Sequence, residues 1–211
     1  MSNIFKSTIL TAIVAMSAQF ASAGILQLGP VKERVDNFDI VENVKAQGRH
    51  GSYTVLHQAK GEMQAQIFGA WRKIANAQVL LVQPSDIGGD VGKLAAAIKK
   101  TPALALRIKP SMNAPANYLA TGLEKAKEKH PELTTPKGEI DKLIAAVKVL
   151  GSQNIKDMNF FVERRSATIY FEINDKLTEV ESTEAFFNTL IDVWMNPNNG
   201  GSTGSIKIIL R

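Results

Sequence analysis

The stretch with the clearest outline of a chemical site is residues 79–100, VLLVQPSDIGGDVGKLAAAIKK. An apolar run leads into a turn rich in glycine, then a lysine and a helical pattern, which is the order of a phosphate-binding loop. A Walker A loop requires Gly, four residues, Gly-Lys, and then Ser or Thr. Counting back from Lys93 puts Ile87 at the first position, and Leu94 follows the lysine. Because two of the four defining positions differ, we expect no nucleotide site here.

Three interpretations of the 85–93 loop remain. In the first, glycine permits a strand-to-helix turn and Asp90 caps the following helix. In the second, the loop binds a small polar ligand, since ligands of open α/β sheets bind beyond the carboxyl ends of strands. In the third, the loop aspartates bind calcium, but calcium requires about six to eight oxygen ligands, so no metal is predicted. The candidate ligand-binding residues are Ser85, Asp86, Gly88, Gly89, Asp90 and Lys93.

The histidines, serines and acidic residues of the chain do not combine into a catalytic motif. The chain has three histidines and no cysteine, and no H-E-x-x-H. A G-x-S-x-G match occurs at residues 200–204, but it lies in a glycine- and asparagine-rich loop before a predicted strand, whereas a nucleophile elbow joins a strand to a helix. The sequence therefore predicts no catalytic residue and no cofactor, and it favours a protein that is not an enzyme. The alternative enzyme is a hydrolase whose carboxylates, Asp86, Asp90 and Glu163, meet in the fold.

The first 23 residues have the pattern of a secretory signal peptide. Lys6 precedes an uncharged, largely apolar stretch, and the small residues Ala21, Ser22 and Ala23 follow it. A buried helix or a membrane anchor is the alternative, but polar residues dilute the stretch, and a spanning helix needs about 20 mainly apolar residues. We expect cleavage after Ala23, no transmembrane anchor, and export to the periplasm, the cell surface or the medium.

Composition limits the class of the mature chain. Removing residues 1–23 leaves 188 of 211 residues and takes away Lys6 alone among charged side chains, so 24 Lys+Arg face 20 Asp+Glu, a net charge of +4. The charge is mild and mixed in sign, which disfavours nucleic acid as a partner. Without cysteine the chain has no disulfide, and a chain of this size buries about 70% of its surface on folding. A globular core is therefore expected.

Apolar spacing predicts the elements of the first half. Met63, Ile67, Trp71 and Ile74 recur at intervals of four, four and three residues, which predicts a helix that ends near Asn76. The run QVLLV that follows it predicts a short strand buried on both faces, and PALALRIK predicts a second short strand.

Further helices are predicted after these strands. Residues 91–100 follow the N-cap candidate Asp90, residues 118–129 become strongly basic, and residues 140–150 show the clearest amphipathic pattern. Gly151 is a natural stop for the last of these helices.

The last sixty residues predict a β-hairpin, a helix and a strand. The hairpin pairs residues 159–163 with 167–173, a helix opens at Thr183-Glu184, and the loop 198–204 leads to a strand over 206–210. The terminal strand either completes its own sheet or pairs with another chain. Alternation in the hairpin predicts that Tyr170 faces outward. Candidate partner-surface residues are Glu163, Arg164, Arg165, Tyr170, Ile206 and Ile208.

Together the elements predict an α/β or α+β fold with a mixed β-sheet, packed helices and a C-terminal hairpin–helix–strand unit. The predicted organisation is a signal peptide (1–23), an N-terminal lobe (24–110), a helix and linker (111–136) and a C-terminal lobe (137–211), the two lobes being either separate or one domain.

The predicted function is that of an exported, non-enzymatic protein of the bacterial envelope. It would act as a structural, assembly or protein-binding component, with another envelope protein or a second copy as partner. The alternatives are small-ligand binding at the 85–93 loop and the hydrolase described above.

Overall fold

The structure is a computed structural model that describes residues 24–67, 70–195 and 206–210. The predicted signal peptide and the 198–204 loop lie outside the described residues. The strands are β1 (Leu26–Leu28), β2 (Val31–Val35), β3 (Phe38–Val41), β4 (Asn43–Gly48), β5 (Gly51–Ile67), β6 (Ala70–Leu81), β7 (Ala103–Pro110), β8 (Met158–Glu163), β9 (Thr168–Ile173), β10 (Lys176–Glu181) and β11 (Ile206–Leu210). The helices are α1 (Val91–Lys100), α2 (Ala116–Lys129), α3 (Glu139–Lys148) and α4 (Glu184–Met195), with a 3-10 turn at Pro131–Leu133.

The main sheet has nine strands in the order β1-β4-β5-β6-β7-β8-β9-β10, with β11 also paired to β5. Strands β2 and β3 form a separate two-stranded hairpin. Every described pairing is antiparallel. The expected combination of a β-sheet with packed helices is confirmed, and the antiparallel order makes the fold α+β. The proposed lobe boundaries stay a prediction, although β7 pairs directly with β8.

The predicted helix ending near Asn76 is wrong. The region forms β5 and β6, two long strands of one hairpin. Small or apolar residues at Ala59, Gly61 and Met63 alternate with polar ones, so the period is two, and the helical spacing was coincidental. The segment forms strands because β6 is hydrogen-bonded to β5 on one side and to β7 on the other, so its backbone N–H and C=O groups are satisfied within the sheet.

The helices cover one face of the sheet, which we call the outer face. Their buried apolar residues, such as Leu94 in α1 and Leu143 in α3, pack with Val79, Leu104 and Phe160 of the strands in one core. The predicted helices over α1 to α4 are confirmed. Asp90 caps α1, since its carboxylate accepts a hydrogen bond from the Lys93 amide at 3.0 Å. No helix within the described ranges is long and apolar enough to cross a membrane.

The opposite face, which we call the inner face, is enclosed by the curl of the sheet. A second apolar core there contains Val44, Val55, Leu80, Phe161 and Tyr170. Two strands separate β5 from β8 in the sheet order, yet the turn between β4 and β5 contacts the end of β8, so the sheet bends around this face. The β2–β3 hairpin lies against the inner face at Gln78 and Arg107.

The predicted C-terminal hairpin is confirmed as β8 and β9, but two of its residues are not where they were expected. Tyr170 is 8% exposed and packs on Phe161, with 5.6 Å between ring centroids. Glu163 is fully buried rather than part of a solvated turn. Both side chains do point away from the helices, as alternation predicts, but the curl of the sheet encloses that side. Strand β10, which was not predicted, lies between the hairpin and α4.

Candidate functional site

Five polar residues form a row across the inner face. Lys60 pairs with Gln78, Gln78 with Arg107, Arg107 with Asn159, and Asn159 with Glu172, so the row crosses strands β5 to β9 in register. Directly paired residues point to the same face of a sheet. Polar side chains thus run across an enclosed surface, where each requires a hydrogen-bond partner.

At the centre of the row, Arg107 and Gln78 bind the β2–β3 hairpin to the sheet. Arg107 Nη1 donates to Gln78 Oε1 and to the Asp39 carbonyl oxygen, both at 2.8 Å, and the guanidinium lies 4.9 Å from the centre of the Phe38 ring. Gln78 Nε2 donates to the Val41 carbonyl oxygen at 2.6 Å. Burial lowers the pKa of Arg107, opposed by nearby carboxylates. These contacts use backbone groups, so they hold the hairpin in one position.

His57 belongs to the same network. Its Nδ1 lies 3.0 Å from Gln78 Nε2, which fits a neutral imidazole that accepts a hydrogen bond from the amide. Burial lowers the pKa of His57, and the charges of Lys32 and Lys60 lower it further, against the opposing effect of Glu33. The imidazole is therefore poised to stay neutral near pH 7.

Beside this network lies a cavity between the hairpin and strands β5 and β6, which we call the hairpin cavity. Its volume is about 90 Å³, enough for several waters or a small ligand. Glu62 and Asn76, which pair across β5 and β6, are both almost fully buried in its wall. The lining residues are Val35, Ile40, Lys60, Gly61, Glu62 and Asn76.

Charged groups surround the hairpin cavity. Lys60 Nζ lies 2.6 Å from a Glu33 carboxylate oxygen, and Lys73 Nζ lies 2.6 Å from Asp36 and 3.9 Å from Glu62. The bond from Lys60 lowers the pKa of Glu33. The cavity thus presents both acidic and basic groups, together with an amide, beside apolar hairpin side chains.

A second polar cluster joins the ends of the curled sheet at Glu163. Ser166 Oγ and Tyr53 Oη donate to its carboxylate at 2.7 and 2.8 Å, and the amides of Arg49 and His50 donate at 2.9 Å. Burial by itself opposes ionisation, but these donors outweigh it and lower the pKa of Glu163 to about 2. The carboxylate is therefore ionised and fully engaged, as expected of a structural group.

The candidate residues of the 85–93 loop lie at the surface and serve the turn. Gly88 and Gly89 have φ of 53° and 75°, the left-handed region that favours glycine. The Asp86 carboxylate accepts from the Gly88 amide at 3.0 Å. Ser85 exchanges two backbone hydrogen bonds with the Gln58 side chain. The carboxylates of Asp86 and Asp90 thus bind the loop's own backbone, and neither described cavity is lined by residues of this loop.

The candidate partner-surface residues are dispersed. Arg164 pairs with Glu184, and its guanidinium lies 5.7 Å from the centre of the Phe187 ring, whereas Arg165 is exposed. Ile206 and Ile208 lie on β11, which pairs with β5 of the same chain. The terminal strand therefore completes its own sheet. Glu163 and Tyr170 are enclosed, as described above.

Sequence reasoning missed the inner-face residues, although a signal for them exists. In NAQVLL of β6, Asn76 and Gln78 interrupt an apolar stretch at alternate positions, and Arg107 does the same in ALALRIK of β7. A polar side chain at every second position of a buried strand marks a polar patch on one face. No group of three or more acidic, histidine or cysteine side chains arranged to hold a metal occurs in the part of the chain that the structure describes.

Comparison with known proteins adds little to this site. No family model matches the sequence. No curated protein matches it either. Among solved structures, the chain is similar to a fatty-acid binding protein of Arabidopsis thaliana, with a TM-score of 0.39 and 9% identity over 71% of this chain and 88% of that one. Similarity at this level carries no argument about function, which has to come from the residues themselves.

Proposed function

We propose that this chain is an exported, non-enzymatic binding protein of the bacterial envelope that holds a small polar ligand in the hairpin cavity. The observation that carries the proposal is the pair Glu62 and Asn76, whose buried side chains line a cavity also reached by Lys60. Ligand sites combine apolar walls with a few polar groups that fix orientation. Val35 and Ile40 supply the apolar wall here.

The charges around the hairpin cavity indicate the class of ligand. Lys60 and Lys73 stand beside Glu33, Asp36 and Glu62, so both signs meet at one place. A molecule that carries both donors and acceptors, such as a hydroxylated or zwitterionic metabolite fragment, matches these groups, whereas an extended apolar chain does not.

The inner-face network supports a role in binding rather than catalysis. Arg107 and Gln78 bind each other and the hairpin backbone, and the Glu163 carboxylate accepts from four donors. General acid–base catalysis needs a group that reaches the substrate with a pKa near the working pH. The carboxylate of Glu163, with a pKa of about 2, is far from that range.

Native mass spectrometry of the full chain, purified from the envelope fraction of its host, tests the proposal. We expect a monomer with a small additional mass that Asn76→Ala and Lys60→Ala both remove. Asp86→Ala is the matched control, because it alters the 85–93 loop and should leave the additional mass in place. If Asp86→Ala alone removes the mass, the ligand binds at the loop instead. A protein without any additional mass would contradict ligand binding.

A second candidate function is binding of another envelope protein at the β1 edge of the sheet. Leu28 and Val31, which lie on either side of Gly29 and Pro30, are 51% and 57% exposed. An edge strand offers unpaired backbone groups to another chain. In the same mass spectra, a co-purifying protein that Leu28→Lys removes and Asn76→Ala retains would support this candidate.

A further inference from the structure

Glu172 is a buried carboxylate beside the first described residue of the chain. It lies on the inner face of β9 and is 4% exposed. Its oxygens accept hydrogen bonds from the Ile25 amide at 2.8 Å and from Asn159 Nδ2 at 3.0 Å. Both donors are neutral, and no basic side chain of the described residues forms an ion pair with it. A buried charge without an opposite charge is costly, so this position favours a cation.

Gly24 lies against this carboxylate. A carbon atom added to its Cα in the Cβ position would lie 2.8 and 2.9 Å from the two carboxylate oxygens of Glu172. Those separations are too short for a carbon atom, but they are the length of a charge-assisted N–H···O hydrogen bond. The position therefore suits a nitrogen that carries a positive charge.

The backbone nitrogen of Gly24 reaches that position once no residue precedes it. The Cα of an N-terminal glycine carries the nitrogen, two hydrogens and the carbonyl carbon. A rotation of about 120° around the Cα–C bond therefore moves the nitrogen into a position that a hydrogen held before. Within an uncut chain the nitrogen is a neutral amide and carries no charge.

We infer that cleavage after Ala23 completes a binding site in which the Glu172 carboxylate holds the new α-ammonium group of Gly24. A signal peptidase would hydrolyse the Ala23–Gly24 bond with one water, leaving a carboxylate on Ala23 and an ammonium on Gly24. The inference rests on the proposed export. Since the Ile25 amide already binds Glu172, the ammonium would anchor the start of β1 across the inner face, so that removal of the signal peptide stabilises the closed sheet.

Acylation of the N-terminal amine tests the inference on protein exported from the full precursor and purified from the periplasm. Intact mass is expected to show a chain that begins at Gly24. An ion pair that raises the pKa of an amine by about one unit slows its reaction about tenfold at neutral pH. We therefore expect the amine to react about tenfold more slowly in the wild type than in Glu172→Gln. Glu179→Gln, on the neighbouring strand β10, is the matched control and should react like the wild type.

A second variant keeps the test independent of any folding defect in Glu172→Gln. One leucine inserted between Ala23 and Gly24 leaves Glu172 intact and keeps the cut after Ala23, because leucine does not fit the small-residue position before the cut. The ammonium then lies one residue further from Glu172, so it should react as fast as the amine of Glu172→Gln. A chain that begins at Gly24 and reacts equally fast in all variants would overturn the inference and leave export standing. A chain that keeps residues 1–23 would overturn the proposed export, and the inference with it.

Discussion

Replacing Glu163 with glutamine is the most direct test of how the curled sheet is closed. The carboxylate is fully buried and accepts from Ser166, Tyr53 and two backbone amides. Its pKa falls from 4.5 to about 2 because these donors outweigh the effect of burial. A difference of this size corresponds to about 3 kcal/mol of unfolding free energy. At pH 7 we expect Glu163→Gln to lose about that amount.

The pH dependence follows from the sign of the change. Because the pKa of Glu163 is lower in the folded state, the unfolded state binds more protons between pH 4.5 and about 2. The stabilisation is complete above pH 4.5 and is lost as the pH falls toward 2. The difference in unfolding free energy between wild type and Glu163→Gln should therefore shrink across that interval, while other carboxylates cancel in the comparison.

Urea unfolding followed by circular dichroism at several pH values measures this difference. Glu181→Gln is the matched control, because Glu181 pairs with Arg49 in the same region but is 63% exposed. We expect it to change little, as exposed ion pairs do. If Glu163→Gln is as stable as the wild type at pH 7, or if the difference does not change with pH, the proposed role of the buried carboxylate is wrong.

Four further perturbations test other parts of the structure. Gly48→Ala should destabilise the wild-type protein, because the added Cβ would lie 2.7 Å from Glu163 Cδ. The same substitution should cost far less in a protein that already carries Glu163→Ala, and a double-mutant cycle measures this coupling. Arg107→Met should lower the unfolding free energy by about 3 kcal/mol and remove hydrogen-exchange protection from the amides of the β2–β3 hairpin. In the wild type the pKa of His57 is lower in the folded state, so the unfolding free energy falls as the pH drops below 6.5. His57→Gln should make the unfolding free energy less dependent on pH in that range, as measured by urea unfolding at several pH values. Asp90→Ala should cost about 1 kcal/mol by the same measurement, through loss of the α1 cap.

The helices could be predicted because the residues that start, end and pattern each helix lie close together in the sequence. Asp90 stands at the N-cap of α1 and Gly151, with a φ of 57°, follows α3. Between such signals, apolar residues occupy one side of each helix and meet the core of the outer face. The β8–β9 hairpin was equally accessible, because its strands are adjacent in the sequence.

The inner face could not be predicted because its contacts join distant parts of the chain. Glu163 is 114 residues from the Arg49 amide that it binds, and its burial depends on how far the sheet curls. Alternation correctly places Tyr170 opposite the helices, but alternation cannot tell an enclosed face from an exposed one. In β5 the residues Ala59 to Met63 carry the period of a strand, yet four bulky residues happened to match a helical spacing as well.

The placement of β11 has a consequence for the order in which the chain folds. Strand β5 pairs with β4 along its first part, and its Gly61 and Ala65 pair with Leu210 and Ile206. During synthesis this part of β5 emerges some 145 residues before its partner β11. Until β11 is made, the N–H and C=O groups of β5 that face β11 have no strand to pair with. Pairings between segments so far apart form slowly. The half-made sheet is thus vulnerable to aggregation until β11 arrives, which favours a holding chaperone for the nascent chain.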